Sequence, residues 1–523
     1  MSCYAIAIGG TGARCLEALV HLCAAGYGPK EELNVLIIDP DAANGNTNRA
    51  IATIRAYRDM YAAIYGAIGI QDAGNLDKQK FFPTSIRYAD DLASDLKVWS
   101  PPNQANFQEF LTPKDQSLTA KERTLLKLFY TQEELRFRLE AGFRARTNIG
   151  SVVMAQSINK EVLEKDPWKF FVEKLSQGIR ASQPGQVFVF GSIFGGTGAS
   201  GLPIIGRMLR EHAGFVDNPL FALGAAVILP YFDFNRPAAN GELVALSDYF
   251  LLNTQTALKY YQNEKNLVSY HDLYLIGEEK WRSAGDGAVG GRDQNNPSHL
   301  IELLAALAAI DFYNDRPTTK SEAKRQLYYY AARNTAEKVE WRDLPVARYD
   351  NEISVRETGL KKQMIYFTTA AYAWENFLSD LLADSQLASK PFLVPWYYKK
   401  FISHDPEKMS LTHVGTRKKL ESISQFFEFY LRWLQEMHQS GIEQAAMQIF
   451  DVGKLKTSLG TNMSVLALGL GTHGKRLDYN GFWNLLLKTQ PDEFQEPVPL
   501  LMNLLTKATQ QFCDQSYKFD QKT

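Results

Sequence analysis

A glycine-rich turn near the middle of the chain constrains the possible fold most strongly. The apolar run at residues 187–194 ends in Gly195-Gly-Thr-Gly198, and the apolar pattern of a helix follows at once. β-Branched and aromatic residues bounded by such a turn predict a buried strand that leads into a helix. Because glycines let the backbone approach an anion and the first amides of a helix point toward it, this pattern favours a phosphate-bearing ligand.

The turn fits neither of the two familiar loops that bind nucleotide phosphates. No Gly-Lys-Ser or Gly-Lys-Thr follows it, which excludes a P-loop lysine, and its glycines lack the GxGxxG spacing of dinucleotide-binding proteins. A tight turn that only packs a helix against a sheet is the alternative at this position. The same alternative holds for a second such turn at residues 9–12.

The N-terminus shows the same order of strand, glycine turn and helix. An apolar strand at 4–8 precedes the turn at 9–12, a helical pattern ends at Gly26, and a buried strand at 34–38 ends in Asp39-Pro-Asp41. Further strands are predicted at 187–190, 221–229 and 272–276, and further helices at 151–180, 203–213, 241–262 and 298–313, the last capped by Ser298. Continuous apolar strands that alternate with helices predict an α/β fold with a Rossmann-like, mostly parallel sheet and helices on both faces.

Two parts of the chain depart from this alternation. Residues 45–140 are interpreted as an insertion or lid with helices at 50–65 and 121–139. Residues 336–523 are predicted to form a mainly helical α+β region with one strand at 463–470. Aromatic residues at helical spacing in this region, Phe426, Phe427, Tyr430 and Trp433, favour helix packing, with a protein interface as the second interpretation. A length of 523 residues is sufficient for two or three domains.

Composition excludes several classes of function. The net charge of −1 gives no basic field that would attract nucleic acid or anionic lipid. The four cysteines form no CxxC pair and the eight histidines have no metal-ligand spacing, so a reducing cytoplasm fits and no metal centre is expected. No apolar stretch approaches the ~18 residues that span a bilayer. No GxSxG motif and no Cys–His pair indicates a covalent nucleophile.

Four loops are expected to meet at one edge of the sheet. Alternating strands and helices place the carboxyl ends of parallel strands together, and ligands of such sheets bind there. These loops are residues 9–12, 39–41, 142–150 and 195–198. Amides of the first loop could hold a diphosphate, and the carboxylates of Asp39 and Asp41 could bind ribose hydroxyls or Mg²⁺. Capping of the following helix is the alternative role for the two aspartates.

The order of these loops resembles the tubulin/FtsZ superfamily, in a divergent bacterial tubulin-like form, over about residues 1–315. Residues 142–150 match the length and both bounding glycines of the family loop GAGANPEVG, and the strand at 221–229 leads into a Pro-Phe-like turn at 230–234. The resemblance implies that residues 1–335 form a nucleotide-binding domain for GTP or GDP with Mg²⁺. The phosphate-binding residues would be Gly9, Gly10, Thr11, Gly12, Ala13, Gly195, Gly196, Thr197, Gly198 and Ala199.

Other site residues follow from the same resemblance. Arg144 and Arg146 replace small residues of the family loop and could neutralise phosphate charge, with Thr147 and Asn148 beside them. Asn235 and Asn240 would lie near the base or ribose. The acidic loop that follows the family's central helix is not clearly matched. Asp315 is the candidate catalytic residue by position, with Asp311 and Glu302 as further candidates, so nucleotide binding is better supported than hydrolysis.

Three functions remain open at this point. The first is a tubulin/FtsZ-like GTP-binding protein that self-assembles head to tail with the nucleotide at the subunit junction. The second is a nucleotide sensor that neither polymerises nor hydrolyses its ligand and binds a protein partner through the C-terminal region. The third is a Rossmann-like NAD-dependent oxidoreductase, with the turn at 9–12 on the pyrophosphate and Asp39 on a ribose.

Overall fold

The computed structural model has a parallel sheet at its centre, formed by apolar runs between residues 2 and 333. The strands are β1 (Ser2–Ile8), β2 (Glu32–Ile38), β3 (Ser85–Arg87), β4 (Gly185–Ser192), β5 (Phe221–Ile228), β6 (Phe232–Asn235), β7 (Asp272–Glu278), β8 (Arg282–Asp286), β9 (Leu327–Arg333), β10 (Gly471–Thr472) and β11 (Tyr517–Lys518). The described residues are 2–29, 32–66, 81–89, 96–101, 106–112, 118–211, 215, 218–235, 245–263, 269–279, 281–286, 290–314, 327–333, 339–344, 353–378, 396, 398–402, 411, 413–440, 447, 449–451, 467–468, 470–472, 479–492, 494 and 496–519.

The sheet contains seven strands, all parallel, in the order β3-β2-β1-β4-β5-β7-β9. The order reverses between β1 and β4, where Ile8 pairs with Gly191 at the carboxyl end. A reversal of this kind opens a crevice between the loops that leave the two strands, and it is the usual ligand site of such sheets. The predicted α/β class is therefore confirmed, and the turns at 9–12 and 195–198 flank the reversal.

Helices cover both faces of the sheet. They are α1 (Gly9–Ala24), α2 (Gly45–Tyr65), α3 (Phe107–Leu111), α4 (Ala120–Phe129), α5 (Gln132–Leu135), α6 (Thr147–Ser157), α7 (Trp168–Arg180), α8 (Gly196–Glu211), α9 (Phe250–Asn263), α10 (Leu300–Asn314), α11 (Ile353–Ala373), α12 (Val414–His438), α13 (Tyr479–Lys488) and α14 (Pro497–Ser516). No helix of the described residues is long and apolar enough to cross a membrane.

Alternation along β1 divides the core into two layers. Cys3, Ala5 and Ala7 pack into one apolar cluster with residues of α1, α2 and α10. Tyr4, Ile6 and Ile8 pack into a second cluster with residues of α6, α7 and α8 on the other face. Because successive side chains of a strand point to opposite faces, a strand that is apolar at every position is covered on both sides.

The C-terminal helices extend the first of these layers. In α12, the Phe426 ring lies 5.8 Å from that of Tyr57 in α2, and the Trp433 ring lies 4.7 Å from that of His21 in α1. The aromatic residues expected to pack between helices do so, and they join the C-terminal region to the face of the sheet that carries α1 and α2.

Some expectations require correction. Residues 45–140 are not wholly an insertion, because α2 packs on α1 and β3 forms the edge of the sheet beside β2. Strand β3, which is too short to show a period, and strand β9 were not predicted. The helix expected to be capped by Ser298 begins at Leu300, and the His299 ring accepts the Ile301 amide proton at 3.2 Å. Most of the strand expected at 463–470 lies outside the described residues.

Candidate functional site

The two glycine turns at the strand reversal are in direct contact. Gly9 has φ +68°, and a Cβ placed on it would lie 3.1 Å from the Thr197 Cβ. Each turn opens a helix, α1 or α8, and neither helix has an acidic residue in its first turn. Among the described residues no side chain caps the N-terminus of α1. The positive dipole ends of two helices therefore face the same space, and the α1 terminus has no side-chain cap.

A third turn, at residues 142–146, closes over this space. A Cβ on Gly196 would lie 2.7 Å from the Phe143 Cβ and 3.2 Å from the Arg146 backbone nitrogen, and a Cβ on Gly142 would lie 3.6 Å from the Asp41 Cβ. Gly142, Arg144 and Ala145 all have positive φ, at 72°, 44° and 61°. The turn at 195–198 thus contacts both of the other turns, and all three line a cleft of about 1100 Å³ that includes its open mouth.

Many of the residues expected to bind nucleotide line this cleft. They are Gly9, Gly10, Thr11, Asp39, Asp41, Arg144, Gly195, Gly196, Thr197 and Gly198. The space beside these residues is too small for added side chains: a Cβ on Gly10 would lie 3.1 Å from the Asn44 Nδ2, and one on Gly198 would lie 2.3 Å from the Ser192 oxygen. Backbone atoms rather than side chains therefore form the floor of the cleft.

Other expected residues lie elsewhere. Gly12 and Ala13 are buried against the sheet, and a Cβ on Gly12 would lie 2.6 Å from the Phe190 oxygen. Asn235 is exposed at the end of β6 and is not part of the cleft lining. Asn240 and the expected catalytic residue Asp315 lie outside the described residues.

The second half of the arginine loop turns away from the cleft. Helix α6 begins at Thr147, so the loop ends at residue 146, and Asn148 donates to a Glu134 carboxylate oxygen at 2.9 Å. Arg146, Thr147, Asn148 and Ala199 line a neighbouring groove against α9. None of these four residues lines the cleft, so their contact with its ligand stays a prediction, whereas Arg144 lines both spaces.

Asp39 and Asp41 both hold loops in place. Asp39 accepts the Thr47 hydroxyl proton at 2.6 Å and the Asp41 amide proton at 3.1 Å. Asp41 accepts the amide protons of Ala43 at 3.1 Å and Gly291 at 2.7 Å. Burial raises the pKa of the Asp39 carboxyl to about 7, although the bond from Thr47 opposes the shift. Within the described residues no three His, Cys, Asp or Glu side chains are grouped as a metal site.

One wall of the cleft was not predicted. It consists of amide side chains from two segments 250 residues apart, with Asn44 and Asn46 on one and Gln294 and Asn296 on the other. Asn46 donates to the Asn296 Oδ1 at 3.1 Å and accepts the Asn296 amide proton at 2.8 Å. The asparagine-rich composition of both loops was the available signal, but it does not show that they pair.

Arg14 was also missed. It is 2% exposed, lines the cleft, forms an ion pair with Glu302 and donates to the Pro297 oxygen at 2.6 Å. Its Nε has no hydrogen-bond partner among the described residues. Burial raises the pKa of Glu302, against the opposing effect of Arg14 and Arg49. Glu302 also accepts the Tyr231 hydroxyl proton at 2.9 Å, so this acid is part of a buried network and does not fit the catalytic role considered for it.

Aromatic rings form another part of the cleft lining. Phe194, Phe232, Phe234 and Phe250 line the cleft, and the Phe194 and Phe250 ring centroids are 4.8 Å apart. The cleft thus combines a floor of backbone amides, one polar wall of amide side chains and one aromatic wall. Such a combination suits a ligand with an anionic end and a flat polar ring.

No protein-family model and no curated protein matches the sequence. Solved structures match it at low identity, among them the following three. CetZ2 from Haloferax volcanii, a GTPγS-bound protofilament, is 14% identical with a TM-score of 0.27, over 59% of this chain and 58% of that one. CetZ1 from the same organism, a GDP-bound monomer, is 13% identical with a TM-score of 0.28, over 62% and 66%. An FtsZ mutant from M. jannaschii is 12% identical with a TM-score of 0.21, over 53% and 46%.

This chain therefore spans between about half and two thirds of the length of the solved structures that it matches. TM-scores below 0.3 carry no conclusion about the site, which depends on the contacts described above. The matched proteins are two CetZ proteins and one FtsZ protein.

Proposed function

We propose that this protein binds a nucleoside di- or triphosphate in the cleft at the strand reversal, with GTP as the expected ligand. One observation carries the proposal: the N-termini of α1 and α8 meet there, with Gly9 against Thr197, and among the described residues no side chain caps α1. Amides at the ends of two helices, with no acidic side chain among the first residues, form a binding site for an anion. The phosphates would lie on the amides of residues 10, 11 and 196–198.

The far side of the phosphate chain would face Arg144. Its guanidinium belongs to the turn that covers Gly196, and a fixed positive charge there favours a terminal phosphate. Both aspartates of the cleft already accept two hydrogen bonds each from the protein. Mg²⁺ would therefore be held by phosphate oxygens and would take no more than part of its coordination from the chain.

The base would lie between the amide wall and the aromatic wall. Asparagine and glutamine side chains present both donors and acceptors, as the edge of a guanine requires, and a phenylalanine face can stack on the ring. This placement supports a nucleoside polyphosphate over inorganic phosphate alone.

Binding measurements separate this proposal from NAD-dependent chemistry. The strand order at the reversal is shared with dinucleotide-binding sheets, so it does not distinguish the two. A dinucleotide site would leave the turns at 142–146 and 195–198 without a role. In isothermal titration calorimetry of the full chain with GTP, ATP and NAD, we expect binding of GTP. Tight binding of NAD with no binding of GTP would overturn the proposal.

We further propose head-to-tail self-association through the face that carries the cleft. Three large apolar side chains in and beside α9, Tyr249, Leu252 and Tyr260, line the groove that adjoins Arg144 and are at least 50% exposed. A contact between this face and a different face of a second copy would build an open filament. Sedimentation with and without GTP tests this, and a monomer under both conditions would contradict it.

A second candidate function is nucleotide sensing without turnover. Glu302 is buried in an ion pair, which removes one acidic candidate for water activation among the described residues. If the protein is a nucleotide sensor, GTP binds and the release of phosphate stays negligible at every protein concentration. A release rate per subunit that rises steeply with concentration supports a site shared between subunits instead. As part of the same proposal, residues 1–335 form the nucleotide-binding part and residues 336–523 the part that sets partners.

A further inference from the structure

A buried charge network connects the amide wall of the cleft to the C-terminal helix α12. The wall segment, residues 293–298, runs from the cleft toward the start of α10, and its residues 293–296 line the cleft. Arg49 of α2 lies behind this segment. It donates to the Asn296 oxygen at 2.7 Å and to the Ser298 hydroxyl at 3.3 Å, and its Nε pairs with Glu17 of α1 at 2.8 Å.

The anchors near the cleft come from the first part of the chain. Asn46 exchanges two hydrogen bonds with Asn296, and the Asn46 amide donates to the Gln294 oxygen at 2.9 Å. Arg14 donates to the Pro297 oxygen at 2.6 Å. These bonds fix the segment from residue 294 to residue 297 against α1 and α2.

The last anchor comes from the C-terminal region. The Ser298 amide donates to the Glu436 carboxylate of α12 at 2.8 Å, and the same carboxylate oxygen lies 3.5 Å from a nitrogen of Arg49. Ser440, just after α12, accepts the Leu300 amide proton at 3.4 Å. Glu436 therefore holds both the end of the wall segment and the arginine that supports its middle.

The wall segment has space behind it. A second cavity of about 710 Å³, including its opening, is lined by Asn296, Pro297 and Ser298 on one side and by Glu436 and Gln439 on the other. Arg14, Phe232 and Asn296 line both this cavity and the cleft. The segment is a partition between two spaces, so it can shift backward when an anchor is removed.

We propose that Glu436 is a positioning residue of the nucleotide site, through which the C-terminal region controls nucleotide affinity. The inference rests on the proposed function. The charge-assisted hydrogen bond that the Ser298 amide donates to Glu436 holds the amide wall at the position in the cleft that the ligand needs. Because binding couplings are reciprocal, bound nucleotide in turn stabilises the end of α12 against local opening.

The test compares two glutamates of the same helix. Glu436→Gln weakens both contacts with little change in volume, and Glu428→Gln changes an exposed glutamate of α12 as the matched control. Calorimetry with GTP on the full chain is expected to show about tenfold weaker binding for Glu436→Gln, unchanged binding for Glu428→Gln and partial recovery for Glu436→Asp. Thermal unfolding without nucleotide checks that all variants fold.

Hydrogen exchange gives a measurement that a purely structural role would not change. Bound GTP is expected to slow amide exchange at residues 432–440 in the wild type and to lose this effect in Glu436→Gln. Equal GTP affinity of the wild type and Glu436→Gln, or no nucleotide effect on exchange in α12 of the wild type, would overturn the inference. Failure of the wild type to bind any nucleotide would instead overturn the proposed function.

Discussion

Gly196 and Phe143 are so close that residue 196 has no room for a side chain: a Cβ there would lie 2.7 Å from the Phe143 Cβ. Because Gly196 opens α8 and Phe143 belongs to the turn above it, this contact sets the height of the cleft over the helix N-terminus. The relationship gives the glycine a steric role that a substitution can test.

Gly196→Ala is expected to push the turn at 142–146 outward and to weaken GTP binding by at least about tenfold, or ~1.4 kcal/mol. Gly178→Ala is the matched control, because Gly178 is also helical and no described atom lies within 4 Å of its added Cβ. The control is expected to bind GTP normally. Calorimetry on both variants is the measurement, and equal affinities would remove the turn from the site.

The two arginines of the 142–146 turn are expected to differ in effect. Arg144 lines the cleft, whereas Arg146 lines only the neighbouring groove. Arg144→Ala should therefore weaken binding of GTP more than binding of GDP, since the lost charge faces the terminal phosphate, and Arg146→Ala should change both little. Dissociation constants for both nucleotides decide this. An equal loss for GTP and GDP in Arg144→Ala contradicts a role at the terminal phosphate.

Titration of Asp39 should make nucleotide binding depend on pH. Burial raises the pKa of Asp39 to about 7, so the side chain is mostly neutral at pH 6 and mostly anionic at pH 8. An anionic carboxylate lining the cleft repels phosphates, so wild-type affinity should fall about fivefold relative to Asp39→Asn between these values. The ratio of the dissociation constants of the wild type and Asp39→Asn removes the effect of the nucleotide's own titration. A ratio that does not change with pH would show that Asp39 does not titrate there.

His21 should make the folded state sensitive to acid. It is fully buried against the Trp433 ring, and neither ring nitrogen has a hydrogen-bond partner among the described residues. Burial, with Arg49 and Arg432 nearby, lowers the pKa of His21 well below its usual 6.5. The unfolded chain then binds a proton that the folded chain does not, so the free energy of unfolding should fall as pH drops below about 6.5, by up to ~1.4 kcal/mol per pH unit.

His21→Leu removes this proton and should flatten the acid side of the stability profile. Urea unfolding at pH 7.5 and pH 5 provides the comparison, with the difference between the two values expected to be smaller in the variant. The same difference in both proteins would mean that other groups dominate the acid sensitivity.

Strand and glycine patterns were sufficient to predict the architecture and the floor of the cleft. Strands such as β1 and β4 carry unbroken apolar runs, at residues 3–8 and 187–190, because both faces of the sheet are covered, and this property is visible in the sequence. The edge strand β3 has three residues, which is too few to show an alternating pattern. The N-terminus of α2 is capped by the Asn44 side chain, which accepts the amide protons of Asn46 and Thr47, and the sequence around it showed no regular pattern.

The walls of the cleft could not be predicted in the same way. Asn46 meets Asn296 across 250 residues, and Arg14 is identified as part of the site by its burial and by its contacts with Glu302 and Pro297. The periodicity of apolar residues shows on which face of its own helix or strand a residue lies. It does not show which distant loop packs against that residue. The start of α6 at Thr147, which turns Asn148 away, depends on packing in the same way.

A crystal or cryo-EM structure of the full chain with a non-hydrolysable GTP analogue tests the central claim most directly. We expect phosphate density between the first turns of α1 and α8, within hydrogen-bond distance of the backbone amides of residues 10, 11 and 196–198. A nucleotide bound elsewhere, or a cleft that stays empty at saturating ligand, would contradict it.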